Sequence, residues 1–385
     1  MRPSESSGLV LRLAAFYAAL FVLLGIQLPF FPVWLKAKEV DTGTIGVILA
    51  APIVARLVAV PVIAHAADRR DAVRGALIAS ALAATLGYVL VGLSAGAVTI
   101  LLAYAATSLA TTPQMPLAET YALRGLTARG RAYGPVRLWG SFAFIAGNFI
   151  AGSAVDAIPA RDLIWLVVAA SVLIALAALA LPSIHTTVPD TPALPRRELL
   201  RDGPFVAVIA AASLIQASHA MYYGFSAVQW SAAGFDGIVI ATLWALGVLA
   251  EIVLFATQSR LPLIFAPTVL LMIGACGGAL RWAGTAFDPP LYILMALQLL
   301  HALSFGATHL GALMFLARHA PSSQAATAQG YLAMAAGLTM AGAIAVTGVL
   351  YREFGSAAYA AMALMALAGG ACGLVAHRLR REPAC

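Results

Sequence analysis

Long apolar runs separated by short polar breaks fill almost the whole of this 385-residue chain. A helix that crosses a bilayer needs about 20 mostly apolar residues. Twelve stretches answer to that, at roughly 11–35, 43–65, 75–94, 97–122, 136–157, 162–181, 204–231, 237–257, 264–284, 288–317, 324–350 and 354–377. Strands of a membrane barrel would alternate apolar and polar residues in segments of about ten, and these runs do not. The pattern predicts an all-α polytopic membrane protein with twelve transmembrane helices. The first run is too long for a signal-peptide core and has no convincing cleavage site, so it is expected to stay as a helix.

The longest polar stretch, Pro182 to Pro204, holds Pro182, Pro189, Pro192, Pro195 and Pro204, with Arg196, Arg197, Glu198, Arg201 and Asp202 among them. Such proline density makes a semi-extended linker. It divides the chain into an N-terminal half at 1–181, a cytoplasmic linker at 182–203 and a C-terminal half at 204–385, six spans to each half. Two six-helix halves about a central loop resemble the plan of major facilitator transporters, whose substrate site lies near the midplane between halves.

Composition narrows the class further. Hydrophobic residues make up 62% of the chain and charged ones 10%, with a mean hydropathy of +0.92. Soluble domains carry about 25% charged residues, so no water-soluble fold fits. The formal charge of +7 is no sign of nucleic-acid binding, because its distribution follows the breaks. With the N-terminus inside, 17 of the 23 basic residues fall on inner loops and tails, against 5 on the outer side: Lys36, Lys38, Arg161, Arg281 and Arg352. The positive-inside rule then puts both termini in the cytoplasm. Cys276, Cys372 and Cys385 fit neither a disulfide framework nor a metal-ligand spacing. Trp34, Trp165, Trp230 and Trp282 fall near outer helix ends and read as an interfacial belt, whereas Trp139 and Trp244 sit deeper.

Six ionisable residues lie within apolar surroundings: Arg56, Glu119, Arg137, Glu251, Arg281 and His301. A charge at bilayer depth costs roughly 2.5–3.5 kcal/mol on insertion scales, so such residues face a water-filled path or one another. Arg56 is open to two readings, structural or a second anion contact. His309 lies eight residues after His301, about 80° round an α-helix, and receives no role.

Four motifs then carry a family resemblance: Tyr133 to Ser141 (YGPVRLWGS), Gln216 to Gly224 (QASHAMYYG), Leu243 to Phe255 (LWALGVLAEIVLF) and Leu300 to Gly311 (LHALSFGATHLG). Together they resemble the phenylpropionate permease family of the major facilitator superfamily, relatives of lactose permease. The loop from Ala64 to Arg74 resembles the superfamily's gating signature, with Ala64 and Asp71 where glycines are usual. In that resemblance Asp68, with Arg69, latches one conformation through a helix N-terminus or an arginine; the other reading is a solvated basic loop. By the same resemblance Glu119 and Arg137 pair across the substrate site. An arginine fork can exchange one carboxylate for another, the protein's own or a ligand's. Glu251, Arg281 and His301 match proton-handling residues. Ser304 stands where lactose permease has a second carboxylate, and the acidic pair of its seventh helix is missing, with His219, Tyr222 and Tyr223 nearby instead.

The expectation is a secondary active transporter, a proton-coupled symporter of a small organic acid such as 3-phenylpropionate. Glu119, Arg137, Trp139, His219, Tyr222 and Tyr223 would bind substrate; Glu251, Arg281 and His301 would carry the proton. Its partners would be substrate, proton and lipid, with no nucleic acid, no metal and no cofactor, and the chain a monomer. Sugar or nucleoside symport is the near alternative and efflux by the same fold the next. An enzyme is not expected, since no zinc-binding His-Glu-x-x-His, nucleophile elbow or P-loop is present.

Overall fold

The computed structural model describes residues 3–69, 72–131, 133–184, 197–257, 265–320 and 324–379. Among them every regular element is helical. In order these are α1 (Pro3–Ala37), α2 (Thr42–Arg69), α3 (Val73–Leu93), α4 (Ala97–Thr111), α5 (Gln114–Thr127), α6 (Gly134–Ala157) and α7 (Ile164–Ala180). After the linker come α8 (Gly203–Ala217), α9 (Ala220–Ala232), α10 (Gly237–Ala256), α11 (Pro267–Thr285), α12 (Leu291–Leu299), α13 (Thr308–His319), α14 (Ala325–Phe354) and α15 (Tyr359–Leu379). Residues 185–196 of the linker lie outside the described residues.

Nine stretches among the described residues are long and apolar enough to cross a bilayer, and the longest, Thr327–Leu379, covers two of the expected spans. The remaining difference from twelve has local causes. Arg281 and four glycines lower the hydropathy of α11. The span at 97–122 is cut in two at Pro113, which has no N–H to donate. Just before that break Thr107, Ser108 and Thr112 turn their hydroxyls back onto carbonyls of the preceding turn, at 2.6–2.8 Å. Such back-bonding supplies the loosened carbonyls and bends a helix.

The helices gather into two compact units, one formed by Met1–Pro189 with Ser226–Thr242 and the other by Asp190–Phe225 with Leu243–Cys385. Without a hydrophobic drive between helices in lipid, close packing depends on small residues. In the first unit the carbonyl of Phe144 on α6 fills the place of a side chain at Gly25 of α1, and Val22 of α1 does the same at Gly147. The start of α10 joins this unit by polar clasps. Asp156 accepts from the Gly237 amide at 2.8 Å, and the Asn148 amide donates to the Ala241 carbonyl at 2.7 Å.

The tryptophans correct the belt expectation. Trp34, Trp230 and Trp282 are all buried inside helix packing; of the four only Trp165 is exposed. Trp34 stacks on Phe31 and donates to the Arg161 carbonyl at 2.9 Å. A tryptophan near a helix end satisfies its N–H from protein as readily as from the membrane interface, and sequence position does not separate the two.

Candidate functional site

α11 carries Gly274, Gly277, Gly278 and Arg281, spaced so that all four share one helix face. The three glycines let the next span approach closely: Thr308 meets Gly274, Leu303 meets Gly277 and the Ser304 side chain meets Gly278. Directly after His301 that span leaves α-helical winding and runs as a π-helix over Ala302–Ala307 before resuming as α13. Single π turns inside α-helices are uncommon and concentrate at functional sites.

Arg281 is fully buried. Its guanidinium lies over two rings, 4.5 Å from the centroid of Tyr222 and 4.4 Å from that of Trp282. One terminal nitrogen, Nη2, donates to Gln298 Oε1 at 2.6 Å and the other, Nη1, to His301 Nδ1 at 2.9 Å. A guanidinium has donors only. Nδ1 of His301 therefore accepts, and the imidazole is neutral with its proton on Nε2. That N–H points at Glu251 Oε2 of α10, 3.5 Å away. Arg281, His301 and Glu251 thus form one line, with the cation at its buried end and the half-buried carboxylate at the other.

A second histidine stands beside this line. His219 Nδ1 donates to the Gln216 carbonyl at 3.0 Å, which leaves Nε2 to accept from Ser304 Oγ at 3.1 Å. The two departures noted in the sequence, at Ser304 and at His219, therefore meet each other as a neutral pair. Both ring nitrogens of His219 are engaged by protein groups, and the residue is wholly buried. Aromatic rings enclose the cluster. Tyr222 stacks on Trp244 at 4.3 Å and Trp282 on Tyr359 at 5.7 Å. Tyr222 and Trp244 are buried and Tyr223 is half-buried.

The charges of α5 and α6 are arranged otherwise. Glu119 and Arg137 are both half-buried, and they make no ion pair with each other among the described residues. Both reach the buried Tyr17 of α1 with their fields, and Tyr17 lies 3.4 Å from the Tyr133 hydroxyl. The Arg137 guanidinium rests on the face of Phe21, 4.1 Å from its centroid. Trp139 is 59% exposed and closes a groove of about 400 Å³ with Val10, Leu11, Ala14, Ala15, Ala18 and Arg131. Arg56 is exposed and makes no ion pair among the described residues. Asp68 and Arg69 end α2, but their side chains lie outside what is described.

Three participants escaped the sequence reading. Gln298 lies one turn before His301, a spacing that was there to be used. Trp282 adjoins Arg281 but was set aside with the belt. His309 was dismissed on α-helical geometry that the π segment does not obey.

Residues 10–361 match the profile of the MFS_1 like family. The chain belongs to that family. Among curated proteins it is 32% identical over 362 residues to the "Probable 3-phenylpropionic acid transporter" of Escherichia coli (strain K12), covering 92% of this chain and 94% of the relative. It is 28% identical over 325 residues to the maltose permease of Geobacillus stearothermophilus, covering 81% and 80%. Its fold is shared with the nucleoside transporter NupG, at a TM-score of 0.84 and 16% identity over 97% of this chain and all of that one. A bacterial homolog of the human lysosomal transporter Spinster, crystallised facing inward and unoccupied, gives 0.77 at 15% identity over the whole of both chains. The MFS_1 like protein is therefore a multi-pass membrane protein with the major facilitator fold, and its relatives are transporters of small molecules.

Proposed function

We propose that this chain is a proton-coupled symporter of a small aromatic carboxylate, with 3-phenylpropionate the leading candidate. It works by alternating access as a monomer in a bacterial inner membrane, with both termini in the cytoplasm. The observation that carries the reading is the line from Arg281 through His301 to Glu251. Because Arg281 occupies Nδ1, His301 is held neutral and offers Glu251 an N–H. Among the described residues Glu251 is the one carboxylate of this cluster, and it takes the coupled proton.

Arg137 is suited to the substrate carboxylate. Its guanidinium rests on Phe21 and makes no ion pair among the described residues, so a ligand carboxylate can dock without first displacing a described protein one. Glu119, close by, balances the charge when the site is empty. Trp139, exposed two residues after Arg137, offers ring surface to an aryl group. Substrate and proton must each favour the state the other favours, and that coupling is reciprocal. The aromatic acid as substrate rests on the 32% identical relative.

The test is external pH in lightly buffered, de-energised cells expressing the chain, with 3-phenylpropionate, simple sugars and nucleosides added one at a time. Alkalinisation on adding the aromatic acid alone is the expected result. Entry of labelled acid without a pH change would overturn proton coupling. Alkalinisation on a sugar or a nucleoside would move the substrate class and leave the coupling intact.

A further inference from the structure

His301, Phe305 and His309 form a column of parallel rings. The His301 and Phe305 centroids are 5.3 Å apart at 11°, and those of Phe305 and His309 are 6.1 Å apart at 8°. On an uninterrupted α-helix the two histidines would diverge by about 80°. The wider turns of the π segment between them take up more residues per turn and bring them back onto one side.

α10 crosses this column at Gly306, the gap between the two histidines. A side chain added at Gly306 would meet Leu254 at 2.6 Å and Glu251 Cγ at 3.7 Å. Glu251 therefore lies over Gly306, with His301 towards one end of the span and His309 towards the other. One turn further along α10, Phe255 faces His309 with ring centroids 6.3 Å apart. Glu251 is the charged group whose field reaches His309; Phe305 and Phe255, its other neighbours, do not titrate. Neither ring nitrogen of His309 is hydrogen-bonded among the described residues, in contrast to His301 and His219. It is half-buried, and an imidazole can take a proton on one nitrogen and release it from the other.

We infer that His309 is a second proton station, the group that takes the proton from Glu251 and passes it towards the cytoplasm. This rests on the proton-coupling reading above and on the positive-inside orientation, by which this span runs inwards from His301 to His319. In the step, the Glu251 O–H bond breaks and its proton passes to an intervening water, which gives a proton up to form an N–H bond on His309. The imidazolium then loses the proton on its other nitrogen to water, and Glu251, again a carboxylate, accepts from His301 Nε2–H. His301 is unsuited to this hand-off because Arg281 blocks its second nitrogen.

The chain in proteoliposomes separates this role from packing. Net proton-driven uptake of 3-phenylpropionate requires proton release in each cycle, whereas exchange of labelled for unlabelled 3-phenylpropionate does not. His309→Gln should slow net uptake about tenfold, modest beside the roughly 10²–10⁴-fold that a positioned acid–base group contributes, and change exchange less than twofold. His309→Phe keeps the stack and deletes both nitrogens, so it carries the same test where His309→Gln misfolds. Equal loss of uptake and exchange in both variants would make His309 a packing residue. Full net uptake in either variant, beside a wild type that couples, would overturn this assignment alone. A wild type that moves no protons with substrate would overturn the coupling reading and this assignment together.

Discussion

Two sets of intramembrane charges, on α5–α6 and on α10–α13, use the same residue types in opposite ways. Around Arg281 the heads of His301, Gln298, His219 and Ser304 are joined by hydrogen bonds, and the cation is fully buried. Around Arg137 the heads are half-buried, and the cation rests on a ring without a carboxylate. A closed network can set a protonation state but has little room for a passenger. An open one can receive an anion but fixes nothing. In the proposed function a division of labour between proton and substrate rests on that difference, and substitutions can break it.

The largest effect is expected from Arg281→Ala. Removing the donor strands two buried neutral acceptors, His301 Nδ1 and Gln298 Oε1, at about 1–3 kcal/mol each. Thermal unfolding of the purified protein should show it; Arg137→Ala should shift stability by only about 1 kcal/mol or less. Equal losses in the two variants would erase the distinction drawn here. Next comes Glu251→Gln, which should abolish accumulation against a gradient while leaving substrate exchange within about twofold, since binding and proton release are separable. Continued accumulation by that variant would remove the proton from Glu251. Arg137→Lys should weaken substrate affinity about tenfold, or 1.4 kcal/mol, because an ammonium cannot reproduce the planar fork; titration of binding by intrinsic tryptophan fluorescence would measure this. Unchanged affinity would place the carboxylate elsewhere. The smallest effect belongs to Tyr17→Phe, which loses a 3.4 Å hydroxyl contact with Tyr133 worth about 0.5–1.5 kcal/mol. A larger change in uptake than in stability would bring Tyr17 into the open site.

Much of this architecture was legible in the residues. Apolar run length gave the spans, because the bilayer sets a length that composition must meet. The isolated charges at Glu251, Arg281 and His301 stood out for the same reason, and the structure joins them. What stayed hidden is local winding. A π turn leaves no clear mark in sequence, so His309 looked misplaced until the backbone moved it. Burial of Trp34 and Trp282 was equally hidden, because a tryptophan near a helix end has the same sequence signature whether it meets lipid or a neighbouring helix. At Ser304 the sequence revealed a missing carboxylate but not its replacement partner, which lies 85 residues away at His219.

The neutral His219–Ser304 pair has an electrical consequence. If the proposed proton coupling holds, then with no second carboxylate at 304 Glu251 would load one proton per cycle. One proton moving with a monoanionic passenger carries no net charge across the membrane. A membrane potential, worth about 2.3 kcal/mol per charge for each 100 mV, then does no work on the cycle. Accumulation would follow the pH difference alone and stop at its ratio, whatever the voltage.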